Sequence, residues 1–391
     1  MSYICYHNKN FIAIDSSLRN GVFCRFFPSD GKTKSIVLQS TPTVHYSATL
    51  SSEGNLEIII ISQGSQLFYY KYAGAQFQKS LLLTAENNTS FMHPFLYTQN
   101  QISQFLYITQ LSTSHYQLHH QIIGEDTKTL IATFKQSPLQ PKYVTTPSGV
   151  YFFYIDKQDV YTLNCIKIEA NQVSTYCYLR SETPLIDYSI CIVHNVAHVC
   201  HVLEQDHTYN LYYLNSISAQ INFLASSHTP MTPVIFYYYQ GLWINTFINE
   251  QLHLLLSMDM GASFSIPLLC SIQSHLQRSV FISTSLKYLI ASELYISLDH
   301  NIRLCTLSTI DIEGLHRALP TELDLLLEGL SLNICQKESC ELVAETNRLK
   351  QELNLLKQQR PIPSSKPQAH IASAKTAFME ELTGWDLPPR L

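Results

Sequence analysis

Seven short apolar segments begin at almost equal intervals along this chain, at Phe11, Ile58, Phe105, Tyr151, Ala197, Trp243 and Tyr288. The gaps between these first residues are 47, 47, 46, 46, 46 and 45. A recurrence at this interval is the signature of a repeat architecture, in which each unit buries its apolar face only by stacking on the next. Each unit divides further into strand-like pieces. In the second unit they cover 44–50, 56–62, 66–72 and 76–83, separated by Ser51-Ser52-Glu53-Gly54-Asn55, Gln63-Gly64-Ser65 and Ala73-Gly74-Ala75. Those separators have turn compositions. The fourth unit repeats the plan at 143–146, 150–156, 160–168 and 172–179.

The second piece of each unit is a continuous apolar run, the pattern of a strand covered on both faces, whereas the third and fourth pieces alternate. That gradient fits a propeller blade, whose inner strands are packed between neighbouring blades. The fold expected is therefore all-β: a seven-bladed β-propeller of four-stranded antiparallel blades over residues 1–310. Its first blade begins with 2–7 and its last ends with 301–308. Each blade is then one continuous stretch of chain, and ring closure falls to side-chain packing.

Composition limits the functional classes. Apolar residues make up 46% of the chain, enough for a large core, and charged residues only 14%. A net charge of −5 provides no basic footprint for nucleic acid. No apolar run approaches the ~18 residues of a membrane-spanning helix, and Met1 to Lys9 does not have the pattern of a signal peptide. The ten cysteines show no regular pairing. They read as reduced thiols, and the expected location is cytoplasmic.

Ser257-Met258-Asp259-Met260-Gly261-Ala262-Ser263-Phe264 resembles the Asp-box, Ser-x-Asp-x-Gly-x-x-aromatic, of sialidase-like propellers. The resemblance implies a turn between the third and fourth strands of the sixth unit, with Ser257, Asp259, Gly261 and Phe264 as its structural residues. Ser and Asp side chains bond turn backbone, Gly accepts positive φ, and the aromatic packs inward. Sialidase chemistry is not expected. That family's substrate clamp needs three arginines from different blades, and of the five arginines in the first 310 residues only Arg278 begins an inner strand. The Trp-Asp and Gly-His signatures of WD40 repeats are absent from the repeat region.

His194, His198 and Cys200 form the best metal candidate, since alternate strand residues share a face. Without a visible fourth ligand, a histidine-rich strand pair explains them better. The same holds for His115, His119 and His120. No metal or other cofactor is expected, and no catalytic residue is assigned.

After residue 310 the period is lost and charge rises, from 34 charged residues in 310 positions to 21 in the remaining 81. Residues 311–334 are expected to pack as a helical segment on the propeller. Leu342, Thr346, Leu349, Leu353 and Leu356 form the seam of a short coiled coil over 335–360, which allows a homo-oligomer. A Pro/Ser-rich linker follows at 361–371. In the terminal amphipathic segment, 372–391, Phe378, Met379, Leu382 and Trp385 read as a partner-docking face. This tail favours a non-enzymatic interaction scaffold, binding proteins through the propeller face and the C-terminal tail. The alternative is a small-ligand-binding or hydrolase/lyase-type propeller that uses the central funnel.

Overall fold

The computed structural model describes residues 2–304 apart from 29–31, 44, 52, 64, 74–75, 87–88, 170–171, 219, 239, 271–275, 285, 287–288 and 299–301, together with Arg348. The chain divides into two units, Met1–Asn333 and Ile334–Leu391. The helical segment, coiled-coil seam, linker and docking face expected beyond residue 310 lie outside the described residues.

Six successive blades follow one another along the chain. The first is β1 (Ser2–His7), β2 (Asn10–Ser17), β3 (Gly21–Phe27) and β4 (Lys34–Gln39). The second is β5 (Tyr46–Leu50), β6 (Leu56–Ser62), β7 (Gln66–Ala73) and β8 (Gln76–Thr84). The third is β9 (Ser90–Gln99), β10 (Ile102–Ser112), β11 (His115–Ile122) and β12 (Lys128–Phe134), and the fourth β13 (Leu139–Thr146), β14 (Gly149–Lys157), β15 (Tyr161–Glu169) and β16 (Gln172–Ser181). The fifth is β17 (Leu185–Val193), β18 (Val196–Gln205), β19 (Thr208–Asn215) and β20 (Asn222–Ser227). The sixth is β21 (Val234–Tyr238), β22 (Gly241–Ile248), β23 (Gln251–Ser257) and a stunted β24 (Leu268–Leu269). In each blade the strands pair antiparallel in chain order.

Burial follows the gradient expected from the sequence. In β6 every residue from Leu56 to Ile61 is buried, while most of β8 is exposed. The continuous run arises because both faces are covered. Ile58 and Ile60 pack with Tyr46, Ala48 and first-blade Cys5, Ile14 and Cys24, while Ile59 and Ile61 pack with Phe91, Leu96, Phe105 and Tyr107 of the third blade. Similar apolar layers separate the third from the fourth blade, the fourth from the fifth and the fifth from the sixth. The core is therefore a series of interblade layers, each filled by alternate residues of two facing sheets.

The expected seventh blade does not form. The last repeat supplies β25 (Leu276–Ser283), β26 (Leu289–Ala291), β27 (Glu293–Leu298) and β28 (Ile302–Leu304), but no sheet of their own. β25 pairs in parallel with β1, from Ser2 with Ser279 to Tyr6 with Ser283, and carries β27 and β28 on its other edge. β26 instead pairs with β21 of the sixth blade. The propeller thus has six blades, and its first sheet mixes strands from both ends of the repeat region. Closure by side-chain packing alone is also corrected. An inner strand left with an open edge would have unpaired backbone groups, and the β1–β25 ladder supplies their partners. Ser2 Oγ and Ser279 Oγ add a 2.5 Å side-chain bond across the same seam.

Candidate functional site

Three consecutive inner strands break their ladder at the same level. In β9, His93 and Pro94 together face the single residue Tyr107 of β10. In β13, Gln140 and Pro141 together face Tyr154 of β14, and in β17 Ile186 is extra opposite β18. Proline has no N–H for a ladder, so within a sheet it is tolerated at bulges. His93 and Gln140, each preceding a proline, adopt positive φ of 49° and 47°. Bulges re-aim side chains, and the one in β9 places His93 in a cavity wall.

The carbonyls released by the bulges are taken up by tyrosines of the next unit. Tyr143 OH donates to His93 O at 2.8 Å, and Tyr188 OH donates to Gln140 O at 2.6 Å. Tyr295 of β27 treats Thr232, which precedes Pro233, in the same way at 2.5 Å. β27 therefore occupies the position of an inner strand at the closure. Gln140 Nε2 also donates to Ile186 O at 2.6 Å.

Above these bulges lies a largely buried four-residue ionic cluster from four different strands: Lys142 of β13, Asp187 of β17, Arg278 of β25 and Glu293 of β27. Lys142 Nζ reaches both oxygens of Glu293, at 3.1 and 2.9 Å, and Asp187 Oδ1 at 3.6 Å. Arg278 donates from Nη1 to Asp187 at 2.5 Å and from Nη2 to Glu293 at 2.7 Å. Both cations also reach Tyr188 O, and Ser189 Oγ donates to Glu293 Oε2 at 3.1 Å. Burial pushes the Glu293 carboxyl up, but Arg278 and Lys142 outweigh it and hold the group below the usual carboxylate range. Two cations face two anions, so the cluster carries no net charge.

Lys142 and Glu293 form part of the wall of a cavity of about 130 Å³, which also takes in Tyr3, His45, His93, Phe95 and Tyr143. A second cavity of about 230 Å³ shares Phe95, Tyr143, Val280 and Ser292 with the first and is lined further on by Leu50, Leu96 and Ile282. Together they describe a funnel whose charged groups, Lys142 and Glu293, stand at one end. The His45 and His93 rings meet edge to face at 5.3 Å. Burial depresses both imidazoles, and His45 adds to the effect on His93, which is pushed down to about 4. Both are neutral near pH 7. Tyr3 is pushed up to about 12 by burial, against a bond with Ser47. Phe95 and Tyr143 stack at 4.3 Å, giving the cleft a rigid aromatic wall.

The residues singled out from sequence lie elsewhere. Ser257 to Phe264 follows β23 and precedes β24, the expected place in the sixth blade. Ser257 Oγ donates to Asp259 Oδ1 at 2.7 Å and accepts from Gly261 N at 2.7 Å. Asp259 Oδ1 also accepts from Ser263 N at 2.9 Å. Gly261 has φ of 92°, and a Cβ there would meet the Tyr213 hydroxyl. Phe264 packs edge to face on Tyr213 at 4.9 Å. This turn is held by its own hydrogen bonds and lines no part of the funnel.

His194, His198 and Cys200 do not converge on one ion. Among the described residues no group of three His, Cys, Asp or Glu could hold a metal. His194 sits in the β17–β18 turn, against Tyr237. His198 Nδ1 bonds the Tyr213 hydroxyl at 2.7 Å, and Cys200 is buried in the interblade core. His115 is exposed, while the His119 ring stacks on Tyr107 and His120 bonds Gln104 at 2.8 Å.

No protein-family model and no curated protein sequence matches the chain. Solved structures do match. The polysaccharide lyase Uly1 aligns with a TM-score of 0.50 at 8% identity, covering 75% of this chain and 85% of that one. The fucose-specific lectin of Aleuria aurantia aligns with a TM-score of 0.41 at 8% identity, covering 68% and 94%. The SapL1 lectin aligns with a TM-score of 0.41 at 9% identity, covering 68% and 94%. At these identities the likeness is one of fold.

The expected interaction scaffold is corrected here. The tail residues that motivated a scaffold lie outside the described residues. What the described residues build is the cleft at the funnel, the feature on which the alternative reading rests.

Proposed function

We propose that this protein is a ligand-binding propeller that holds a saccharide ring in the cleft bounded by His45, His93, Lys142, Tyr143 and Glu293. The observation that carries the reading is the combination, in one small cavity, of two neutral imidazoles, an aromatic wall and a buried, hydrogen-bonded ion pair. Aromatic walls accept the C–H faces of a sugar, and a few fixed polar groups set its orientation. A polysaccharide lyase of similar fold supports this ligand class.

Binding is favoured over glycoside hydrolysis by the state of the carboxyl groups. Hydrolysis needs one carboxyl that keeps its proton and gives it to the leaving oxygen. Glu293 is held ionised, and Asp187 is tied to Arg278.

A single sugar ring of about 12 non-hydrogen atoms, at about 0.3 kcal/mol per atom, corresponds to a Kd of the order of 1 mM. Titration calorimetry against a panel of methyl glycosides is expected to find at least one ligand in this range. His93→Ala is expected to weaken it at least ~10-fold with the thermal transition preserved. Unchanged affinity in that variant would place the ligand elsewhere.

A further inference from the structure

We infer that the cleft selects an uncharged, hydroxyl-rich ring and discriminates against the corresponding acidic sugar. The inference deepens the reading above and rests on it. Its basis is a count of charges and of remaining hydrogen-bonding capacity.

The charges around the cleft balance. Lys142 and Arg278 face Asp187 and Glu293 within 3.6 Å. The remaining titratable lining groups, His45, His93, Tyr3, Tyr46 and Tyr143, are neutral at pH 7. A carboxylate brought to this cavity would find no uncompensated cation to offset its loss of hydration.

The terminal donors that bind acidic sugars elsewhere are already committed. Lys142 Nζ has three hydrogens and four acceptors around it: both Glu293 oxygens, Tyr188 O and, farther off, Asp187. The two terminal nitrogens of Arg278 are engaged by Asp187, Glu293 and Tyr188 O. What remains toward the cleft is of another kind. Glu293 Oε1 receives a bond from Lys142, and a carboxylate oxygen has room for a second. Each neutral imidazole of His45 and His93 presents one donor and one acceptor. A hydroxyl both donates and accepts, so a polyol satisfies this mixed set. A carboxylate only accepts, and it would lie against the Glu293 oxygens.

The experiment uses the full chain at pH 7.5 with matched probes: the methyl glycosides of glucose, galactose and mannose, each paired with its uronic acid. Affinities are read by saturation-transfer NMR and calorimetry. The expected result is that the best neutral glycoside binds at least ~10-fold more tightly than its uronate. Glu293→Gln removes one negative charge and leaves the cluster cationic. In that variant the ratio is expected to fall at least ~3-fold in favour of the uronate, a change that general loosening of the site would not produce. Should Glu293→Gln not fold, the wild-type ratio alone decides. A uronate that binds wild type as well as its neutral partner, and loses affinity in His93→Ala, overturns the selectivity and leaves the cleft reading intact. Binding of none of the six overturns the cleft reading and the inference with it.

Discussion

At the scale of single residues, the interior contains histidines kept neutral at an energetic cost. His201 is fully buried in β18, its ring stacks on Tyr212 at 5.6 Å, and among the described residues neither ring nitrogen has a hydrogen-bond partner. An unsatisfied buried N–H costs about 1–3 kcal/mol. Burial pushes His201 down to about 4, and His93, His119 and His198 reach the same region, each chiefly through burial. Between pH 6.5 and 4 the unfolded chain binds protons at these sites and the folded chain does not. Stability is therefore highest above pH 6.5, falls as the pH drops toward 4, and levels off below. His201→Phe keeps a ring on Tyr212 and removes both nitrogens. Urea unfolding is expected to show the variant ~1–2 kcal/mol more stable than wild type at pH 5, with a smaller gain at pH 8. A loss of stability at both pH values would mean that the larger ring overpacks the site.

At the scale of elements, the bulged inner strands do two things with one irregularity. The β9 bulge places His93 in the cavity wall, the β9 and β13 bulges each free a carbonyl that a tyrosine of the next unit caps, and Tyr295 caps Thr232 ahead of β21 in the same way. The signal for this device was present in the sequence: Pro94, Pro141 and Pro233 precede their tyrosine-capped neighbours' units at multiples of the repeat, 47 and 92 residues apart. An X-Pro pair at the start of a strand leaves no mark on the apolar periodicity, so the apolar runs do not disclose it. Tyr143→Phe and Tyr188→Phe each remove one interblade hydrogen bond without changing the ring's packing. Each is expected to cost ~1 kcal/mol. A cost below ~0.3 kcal/mol in both, measured by chemical denaturation, would show that the capped carbonyls are satisfied in another way.

At the scale of the whole molecule, the ring is joined where the last repeat meets the first. The parallel β1–β25 ladder closes it with backbone bonds, and the ionic cluster ties β25 and β27 to the fourth and fifth blades. Arg278 is central to this second tie. Arg278→Met leaves two buried carboxylates with Lys142 as their only cation. Breaking a buried pair in this way costs ~3–5 kcal/mol, whereas replacing charges together with their partners is far milder. Equilibrium unfolding is expected to show that loss for Arg278→Met, and recovery of at least half of it when Asp187→Leu is added. A single-variant loss under ~1 kcal/mol would remove the cluster from ring closure.

The amino-acid sequence by itself determined the repeat, the strands and their burial gradient. These are properties of each stretch of about 46 residues and its nearest neighbours, so they recur visibly as apolar runs and turn residues. The strand limits in the second blade, 56–62 expected and Leu56–Ser62 observed, show how local that information is. Only the tertiary structure decided the number of blades and the make-up of the cleft. Whether the seventh repeat closes as a blade depends on pairing between Ser2 and Ser279, 277 positions apart. The cleft depends on Lys142 meeting Glu293 across 151 positions. In the sequence each of those charges stands alone among uncharged residues. Their partnership is set by how the closed ring brings inner strands of distant repeats to one axis, and no local pattern records it.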